Sequence, residues 1–252
     1  MPAGDYILEA QGLSRTFHDF HAVRDVNLRV RRHAVHALIG PNGAGKTTCF
    51  NLLSTFLPAT SGRIVFNGRD ITRGHPAQVA ALGLVRSFQI SAVFGQMSVL
   101  ENIRLALLRR QANSYAFWRN DRTLERLNAQ AAELAERVGL THWLAHRAGD
   151  LSYGRKRVLE LATTIALDPQ MILLDEPMAG LGQEDIAPVM RLIAEVAKGR
   201  TILMVEHNMS VVAELCDRIT VLQAGEVLAE GPYEEVSRDP RVVEAYVGGR
   251  DD

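Results

Sequence analysis

Cysteine is scarce: Cys49 and Cys216 are the only two in 252 residues, and they are far apart. That excludes a disulfide framework, and because each lies in an apolar run it predicts buried, reduced thiols, as suits a cytosolic protein. Charge of one sign is lacking too, since 28 Lys and Arg against 29 Asp and Glu leave a net charge of −1. Arginines and acids alternate instead of forming blocks, so bulk attraction to nucleic acid or anionic lipid is not expected. No run approaches the roughly 18 apolar residues of a membrane span. The start, Met1-Pro-Ala-Gly-Asp-Tyr6, is not a charged segment followed by an apolar one, so no signal peptide is expected. Repeats and low-complexity segments are absent. A soluble chain is expected, whose membrane role, if it has one, comes through a partner.

What is present is a hydrophobic fraction of 47%, enough for one large α/β domain or two small ones. The most informative stretch is Gly40-Pro-Asn-Gly-Ala-Gly-Lys-Thr-Thr48, which has the G-x-x-x-x-G-K-T pattern of a phosphate-binding loop. The apolar run His33–Ile39 reads as a buried strand before it. Thr48–Leu57, apolar at helical spacing and stopped by Pro58, reads as a helix after it. Glycines at 40, 43 and 45 allow successive N–H groups to turn inward around an anion. The helix brings its positive end to the same place. Lys46 is placed to reach the outermost phosphates of a nucleotide triphosphate, and the Thr47 hydroxyl to ligate Mg²⁺.

Around this loop the pattern is an α/β framework. Strands are expected at Tyr6–Gly12, Val23–Val30, Ser61–Gly68, Leu84–Phe88, Met171–Pro177 and Thr201–Val205, with a closing hairpin at Asp217–Leu222 and Glu226–Glu230. Thr16–Ala22 reads as a turn and strand edge whose Phe17 and Phe20 are either stacking aromatics or core. Short helices are expected at His75–Leu82, Pro232–Ser237 and Pro240–Val247. Pro188 argues that the helix carrying Ile186, Val189, Met190 and Ile193 begins only just before it. Between about 95 and 165 only helical patterns occur, Val99–Arg110 and Asn120–Val138 among them. An inserted α-helical subdomain (about 95–164) thus interrupts an ATP-binding core (about 1–94 and 165–252).

Two carboxylates end one apolar strand. Asp175 at its carboxyl edge is positioned to hold Mg²⁺ beside the phosphate loop. Glu176, pointing the opposite way in an extended chain, is positioned to align or deprotonate a water attacking the γ-phosphate. His207 closes the next strand and can donate to that phosphate. Gln89, at another strand end, offers an amide to Mg²⁺ or to the attacking water, or is a surface amide. Ser152 and Gly154 in Leu151-Ser-Tyr-Gly-Arg155 precede the apolar helix Val158–Ala166. They form either a second anion-binding helix end or an ordinary cap. Two phosphate-type sites on one chain are most simply reconciled by a head-to-tail pair of chains, each lending its helix end to the other's ATP.

Taken together, these motifs resemble the nucleotide-binding subunit of an ABC transporter, over essentially the whole length and in family order. By that resemblance the fold is a P-loop NTPase core, a mixed or parallel sheet with flanking helices and an N-terminal antiparallel β subdomain, plus the helical insert. Phe17 stands at the adenine-stacking aromatic and Gly40, Pro41, Asn42, Gly43, Ala44, Gly45, Lys46, Thr47 and Thr48 form the Walker A loop. Gln89 is the Q-loop glutamine, and Leu151, Ser152, Tyr153 and Gly154 lie in the signature motif. Met171–Glu176 is the Walker B strand with Glu176 as catalytic carboxylate, Ala179–Gly182 the D-loop, and His207 the switch histidine. The chain departs from the common pattern at Tyr153, where Gly is usual, at Arg155, where Gln is usual, and at Gly182, where the D-loop has Asp. Leu-Ser-Tyr-Gly, Pro177–Leu181, Val205–Met209 and Asp239–Gly248 resemble the ATP-binding subunits of high-affinity branched-chain amino acid importers, whose relatives carry urea, other amino acids or small carboxylic acids.

The resemblance implies ATP and Mg²⁺ as cofactors and a second ATP-binding subunit, identical or related, as partner. It also implies a membrane permease, an extracytoplasmic solute-binding protein acting indirectly, and a peripheral place on the cytoplasmic face of the inner membrane. The segment Ile90–Asn102, with Val93, Phe94 and Met97, would then form part of a groove for a permease helix; read alone, it is equally a local core contact. Two further readings share the fold: the ATPase of a lipopolysaccharide-type extraction complex and a soluble ABC protein outside transport.

Overall fold

The structure is a computed structural model and describes residues 4–87, 93–110 and 121–247. Its chain divides into two compact units, one of Met1–Arg86, Gln170–Pro177 and Ala197–Asp252, the other of Ser87–Pro169 and Met178–Val196.

In the first unit, β1 (Tyr6–Phe17) and β2 (Phe20–Arg31) form a hairpin in which Phe17 faces Phe20. His18, at φ 51°, turns the two-residue loop in the left-handed region. Both strands run to the turn and so are longer than the alternation suggested, because cross-strand pairing satisfies the backbone of residues 13–17. With β4 (Ser61–Phe66) and β5 (Arg69–Asp70) they make an antiparallel sheet in the order β2-β1-β4-β5.

A second, six-stranded sheet carries β3 (Val35–Ile39), β6 (Leu84–Ser87), β7 (Met171–Asp175), β8 (Thr201–Val205), β9 (Arg218–Gln223) and β10 (Glu226–Gly231) in the order β10-β9-β3-β8-β7-β6. β3 runs parallel to β8 and β9, and β8 parallel to β7. Every residue of β3 and β8 is buried, which accounts for their unbroken apolar runs. Register does the positioning: Val205 pairs with Leu38 on one side and Asp175 on the other. The residues after these three strands therefore emerge at one edge, at the carboxyl ends where α/β sheets bind ligands.

Helix α1 (Lys46–Leu53) ends at Leu53 and not at Leu57, because the Ser54 hydroxyl bonds back to the Phe50 carbonyl at 2.7 Å and Thr55 turns to φ 59°. Cys49, Phe50, Leu52 and Leu53 are buried among strands of both sheets. The unit is completed by α2 (Pro76–Ala81), α7 (Met209–Leu215), α8 (Tyr233–Val236) and α9 (Pro240–Val247).

The second unit is built on α3 (Val99–Arg110), α4 (Asp121–Arg137), α5 (Tyr153–Ala166) and α6 (Gln183–Ala197). Among the described residues no strand falls between 95 and 165, only a single bridge between Ser98 and Arg147. A reciprocal cap starts α3: the Glu101 carboxylate accepts from the Ser98 amide at 2.8 Å, and the Ser98 hydroxyl from the Glu101 amide at 3.2 Å. α3 packs against α4 and α5, and Val99, Ile103 and Leu107 of α3, Leu127, Ala131 and Leu134 of α4 and Leu159, Ala162 and Ile165 of α5 are all buried. α6 begins at Gln183, not only just before Pro188 as expected, so Pro188 lies inside it. The ring is exposed and so is Glu184, whose carbonyl loses its partner, so water can satisfy that group and the helix continues. Among the described residues no helix is long and apolar enough to cross a membrane.

Candidate nucleotide site

The phosphate loop takes the conformation its glycines permit. Gly40, Gly43 and Gly45 have φ of 149°, 76° and 95°. A Cβ at Gly40 would stand 2.1 Å from the Leu222 carbonyl oxygen, and one at Gly45 would stand 2.4 Å from that of Ala22. Neighbouring strands thus hold the loop so closely that no side chain fits. A backbone chain fixes it further: Gly225 N–H donates to Ala44 O at 3.0 Å, and Arg24 N–H to Gly225 O at 2.8 Å. Lys46 folds over the loop, donating to the carbonyls of Gly40 (2.8 Å) and Pro41 (2.9 Å). Burial pushes its pKa below the ordinary value, opposed by the charge of Glu176. No side chain caps the start of α1, and Thr47 is exposed there, with Thr48 half-buried. Asn42 is exposed on the loop's outer face and Ala44 is buried beneath it.

Asp175 ends β7 with a side chain 14% exposed, and its Oδ2 accepts from Nη2 of Arg86 at 2.5 Å. Arg86, on β6, is buried; its Nη1 also donates to Asn51 Oδ1 at 2.5 Å and Ser54 Oγ at 3.4 Å, both on or next to α1. The carboxylate expected to hold a metal is therefore tied by one oxygen to the helix after the phosphate loop. Sequence reasoning missed Arg86, since a single arginine in a short strand gives no signal of what it will face.

Glu176 differs from the expected extended conformation. It lies at φ 47°, and its amide donates to the Val205 carbonyl at 2.9 Å. The strand ends at Asp175, and the following Pro177 disfavours the right-handed helical alternative for Glu176. A non-glycine residue held in the left-handed region stores strain of a kind that clusters at functional sites. Glu176 Oε1 lies 3.9 Å from His207 Nδ1, with both side chains substantially exposed. Glu206, which the sequence did not single out, is buried, and its Oε2 accepts from the amides of His207 (2.9 Å) and Asn208 (3.0 Å). It fixes the backbone that carries His207. Asn208 then caps α7, accepting from the Ser210 amide at 3.1 Å.

The C-terminal helix also reaches the loop. Tyr246 of α9 has a hydroxyl with no partner at hydrogen-bonding distance, yet the Gly40 backbone is near enough to offset part of the rise in pKa that burial imposes. Phe17 is 39% exposed and Phe20 66%, so neither is a core residue. The Arg15 guanidinium stands 4.5 Å from the Phe17 ring centroid. Gln89 lies outside the described residues, as do Ile90 to Ala92. In the segment that follows, the buried Asn102 accepts from the Phe94 amide (2.8 Å) and donates to the Phe94 and Ser98 carbonyls (3.2 and 2.9 Å), while the Phe94 ring stays half exposed.

In the helical unit, α5 starts at Tyr153 and not at Val158, so Tyr153, Gly154 and Arg155 form its first turn. Ser152 is the cap, accepting from the Arg155 amide at 3.4 Å, and is exposed; Leu151 is buried behind it. Arg155 lays its guanidinium 4.1 Å from the Trp143 ring centroid, a cation–π contact that a glutamine would not make.

Comparison with known proteins matches nearly the whole chain. Residues 23–179 match the ABC transporter family, and residues 226–252 match the family described as branched-chain amino acid ATP-binding cassette transporter. The chain is 38% identical over 253 residues to the high-affinity branched-chain amino acid transport ATP-binding protein BraF of Pseudomonas aeruginosa, covering 96% of this chain and 98% of that one. It is 35% identical over 249 residues to the protein LivG of Escherichia coli, of the same description, at 96% and 98% coverage. A nucleotide-free ATP-binding cassette from an ABC transporter superposes with a TM-score of 0.83 at 32% identity, covering 96% of this chain and 98% of that one.

Proposed function

The chain belongs to the ABC transporter family, whose ATP-binding subunits hydrolyse ATP to power transport, and from that premise we propose that it drives import of branched-chain amino acids through a membrane permease. The observation that carries the reading is the meeting of the glycine loop, Asp175, Glu176 and His207 at one edge of one sheet. The C-terminal family match and the names of the relatives support the substrate, and they do not favour an extraction complex or a soluble role.

In this reading the amides of Gly43 to Thr48 and the Lys46 ammonium grip the phosphates of ATP, and the exposed face of Phe17 takes the adenine. Among the described residues no three or more His, Cys, Asp or Glu side chains gather as a metal site, so an ion here would depend on phosphate oxygens as well. The oxygens of Thr47 and the unpaired oxygen of Asp175 suit Mg²⁺, a hard cation that keeps several waters; Gln89 is the third proposed ligand. Bound there, Mg²⁺ would neutralise charge gathering on the phosphates. Glu176 accepts the proton of the attacking water, and His207 donates to the γ-phosphate. A second copy or a related subunit presents Leu151, Ser152, Tyr153 and Gly154 at its helix end to the same nucleotide. The chain sits on the cytoplasmic face of the inner membrane, held by the permease near Phe94, and an extracytoplasmic solute-binding protein delivers the solute.

The test is uptake of labelled leucine, isoleucine and valine by cells that depend on this chain and its permease. Parent chain supports uptake and Lys46→Ala does not. Uptake that is indifferent to Lys46→Ala, or that favours a different solute, contradicts the reading.

A further inference from the structure

Two departures from the common pattern, Tyr153 and Gly182, belong to neighbouring segments of the helical unit. The Tyr153 hydroxyl donates to the Ala179 carbonyl at 3.2 Å and accepts from Nη2 of Arg157 at 2.5 Å. Its ring lies against Gly180, where a Cβ would come within 3.1 Å of Tyr153 Cε1 and where φ is 74°. Arg157, one turn along α5, stands 5.0 Å from the ring centroid and also donates to Glu160 at 3.0 Å, so it braces the phenol from behind. Beside this contact Asp185 is pressed on Gly154: a Cβ there would stand 2.2 Å from the Asp185 carboxylate. Residues 179–185 are thus closed onto the first turn of α5 by an aromatic ring on one glycine and a carboxylate on another. Gly182 has no side chain with which to add to that closure.

We propose that Tyr153 is a positioning residue that fixes the Ala179–Gly180 segment to the signature helix within one copy, so that both reach the partner's nucleotide as one preset surface. This rests on the paired-site reading above. A tyrosine suits the task because its ring is rigid and its hydroxyl donates and accepts at once. Glycine at 153, the common residue, would leave the Ala179 carbonyl without this donor and the segment without its tether.

The experiment uses the full chain carrying Glu176→Gln, alone and combined with Tyr153→Phe or Tyr153→Leu. It measures ATP binding at concentrations where the chain is monomeric, ATP-driven dimerisation by sedimentation, and the thermal midpoint. Tyr153→Phe should weaken dimerisation about two- to tenfold, the range one neutral hydrogen bond spans, and Tyr153→Leu should weaken it more. Monomer ATP affinity should stay within about twofold, because the phosphate loop is untouched, and the thermal midpoint of Tyr153→Phe should fall by no more than about 4 °C, the loss of one intrachain hydrogen bond. A merely structural tyrosine would lower the midpoint without weakening dimerisation selectively. Equal dimerisation by parent and variants, or a parallel loss of monomer ATP affinity, overturns the proposal alone. A Glu176→Gln parent that stays monomeric at saturating ATP overturns the paired reading and this proposal with it.

Discussion

Glu176 Oε1 and His207 Nδ1 stand 3.9 Å apart at the ends of neighbouring strands, a separation fixed by the register that pairs Asp175 with Val205. Both groups are open to solvent, and each backbone is held independently, Glu176 by the Val205 carbonyl and His207 by the Glu206 carboxylate. The pair is therefore open to solvent and, on the proposed reading, faces the nucleotide. His207→Ala should lower kcat for ATP by roughly 10²–10⁴-fold, the usual contribution of a positioned proton donor or acceptor, with KM changed far less. Steady-state hydrolysis rates check it; a variant with unchanged kcat removes His207 from the reaction.

Arg86 and Asp175 make a buried pair whose members are 1% and 14% exposed. Removing one member leaves the other charge uncompensated. Arg86→Met should destabilise the fold by about 3–5 kcal/mol in urea unfolding. Arg86→Met with Asp175→Leu should recover part of that loss, and a double variant less stable than the single one would show that the pair is not the source.

Burial pushes the Cys49 thiol up to about 12, and burial with the nearby charges of Asp217 and Glu206 pushes Cys216 up to about 12. Neither is in a disulfide. At pH 8 a thiol reagent should modify the native chain roughly a thousandfold more slowly than the unfolded chain, since only the thiolate reacts. Rapid modification of one equivalent in the native protein would contradict this.

His36 is buried on β3 with its Nε2 2.8 Å from the Thr220 hydroxyl. Burial, and then the charge of Arg218, lowers its pKa from 6.5 to about 3. The unfolded chain takes up this proton first, so the contribution of His36 to stability is complete above pH 6.5 and is lost as pH falls towards 3. The slope is at most about 1.4 kcal/mol per pH unit. His36→Gln should flatten the change in unfolding free energy between pH 7 and pH 5; an unaltered slope would assign the acid limb to other groups.

How much of this could be read from the chain depended on how local the cause was. The glycine loop was legible because a few adjacent residues dictate its conformation, and Met171–Asp175 because a fully buried parallel strand is apolar without alternation. Arg86 was not legible, since its partner is 89 residues away and the sheet order alone brings them together. Glu206 was not legible either, since nothing in an acid at a strand end shows that its side chain folds back onto the next two amides. Pro188 misled because its effect on a helix depends on whether water can reach the freed carbonyl. The Ser98–Glu101 cap is local, and its Ser-x-x-Glu spacing is legible in the sequence.

The central claim is that two copies clasp each ATP between a glycine loop and a facing helix end. Sedimentation of the Glu176→Gln chain with and without Mg-ATP tests it most directly. A dimer that appears only with ATP, and is lost when Lys46→Ala or Ser152→Trp is added, is the expected result. A chain that remains monomeric at saturating ATP, or dimerises equally without it, contradicts the account.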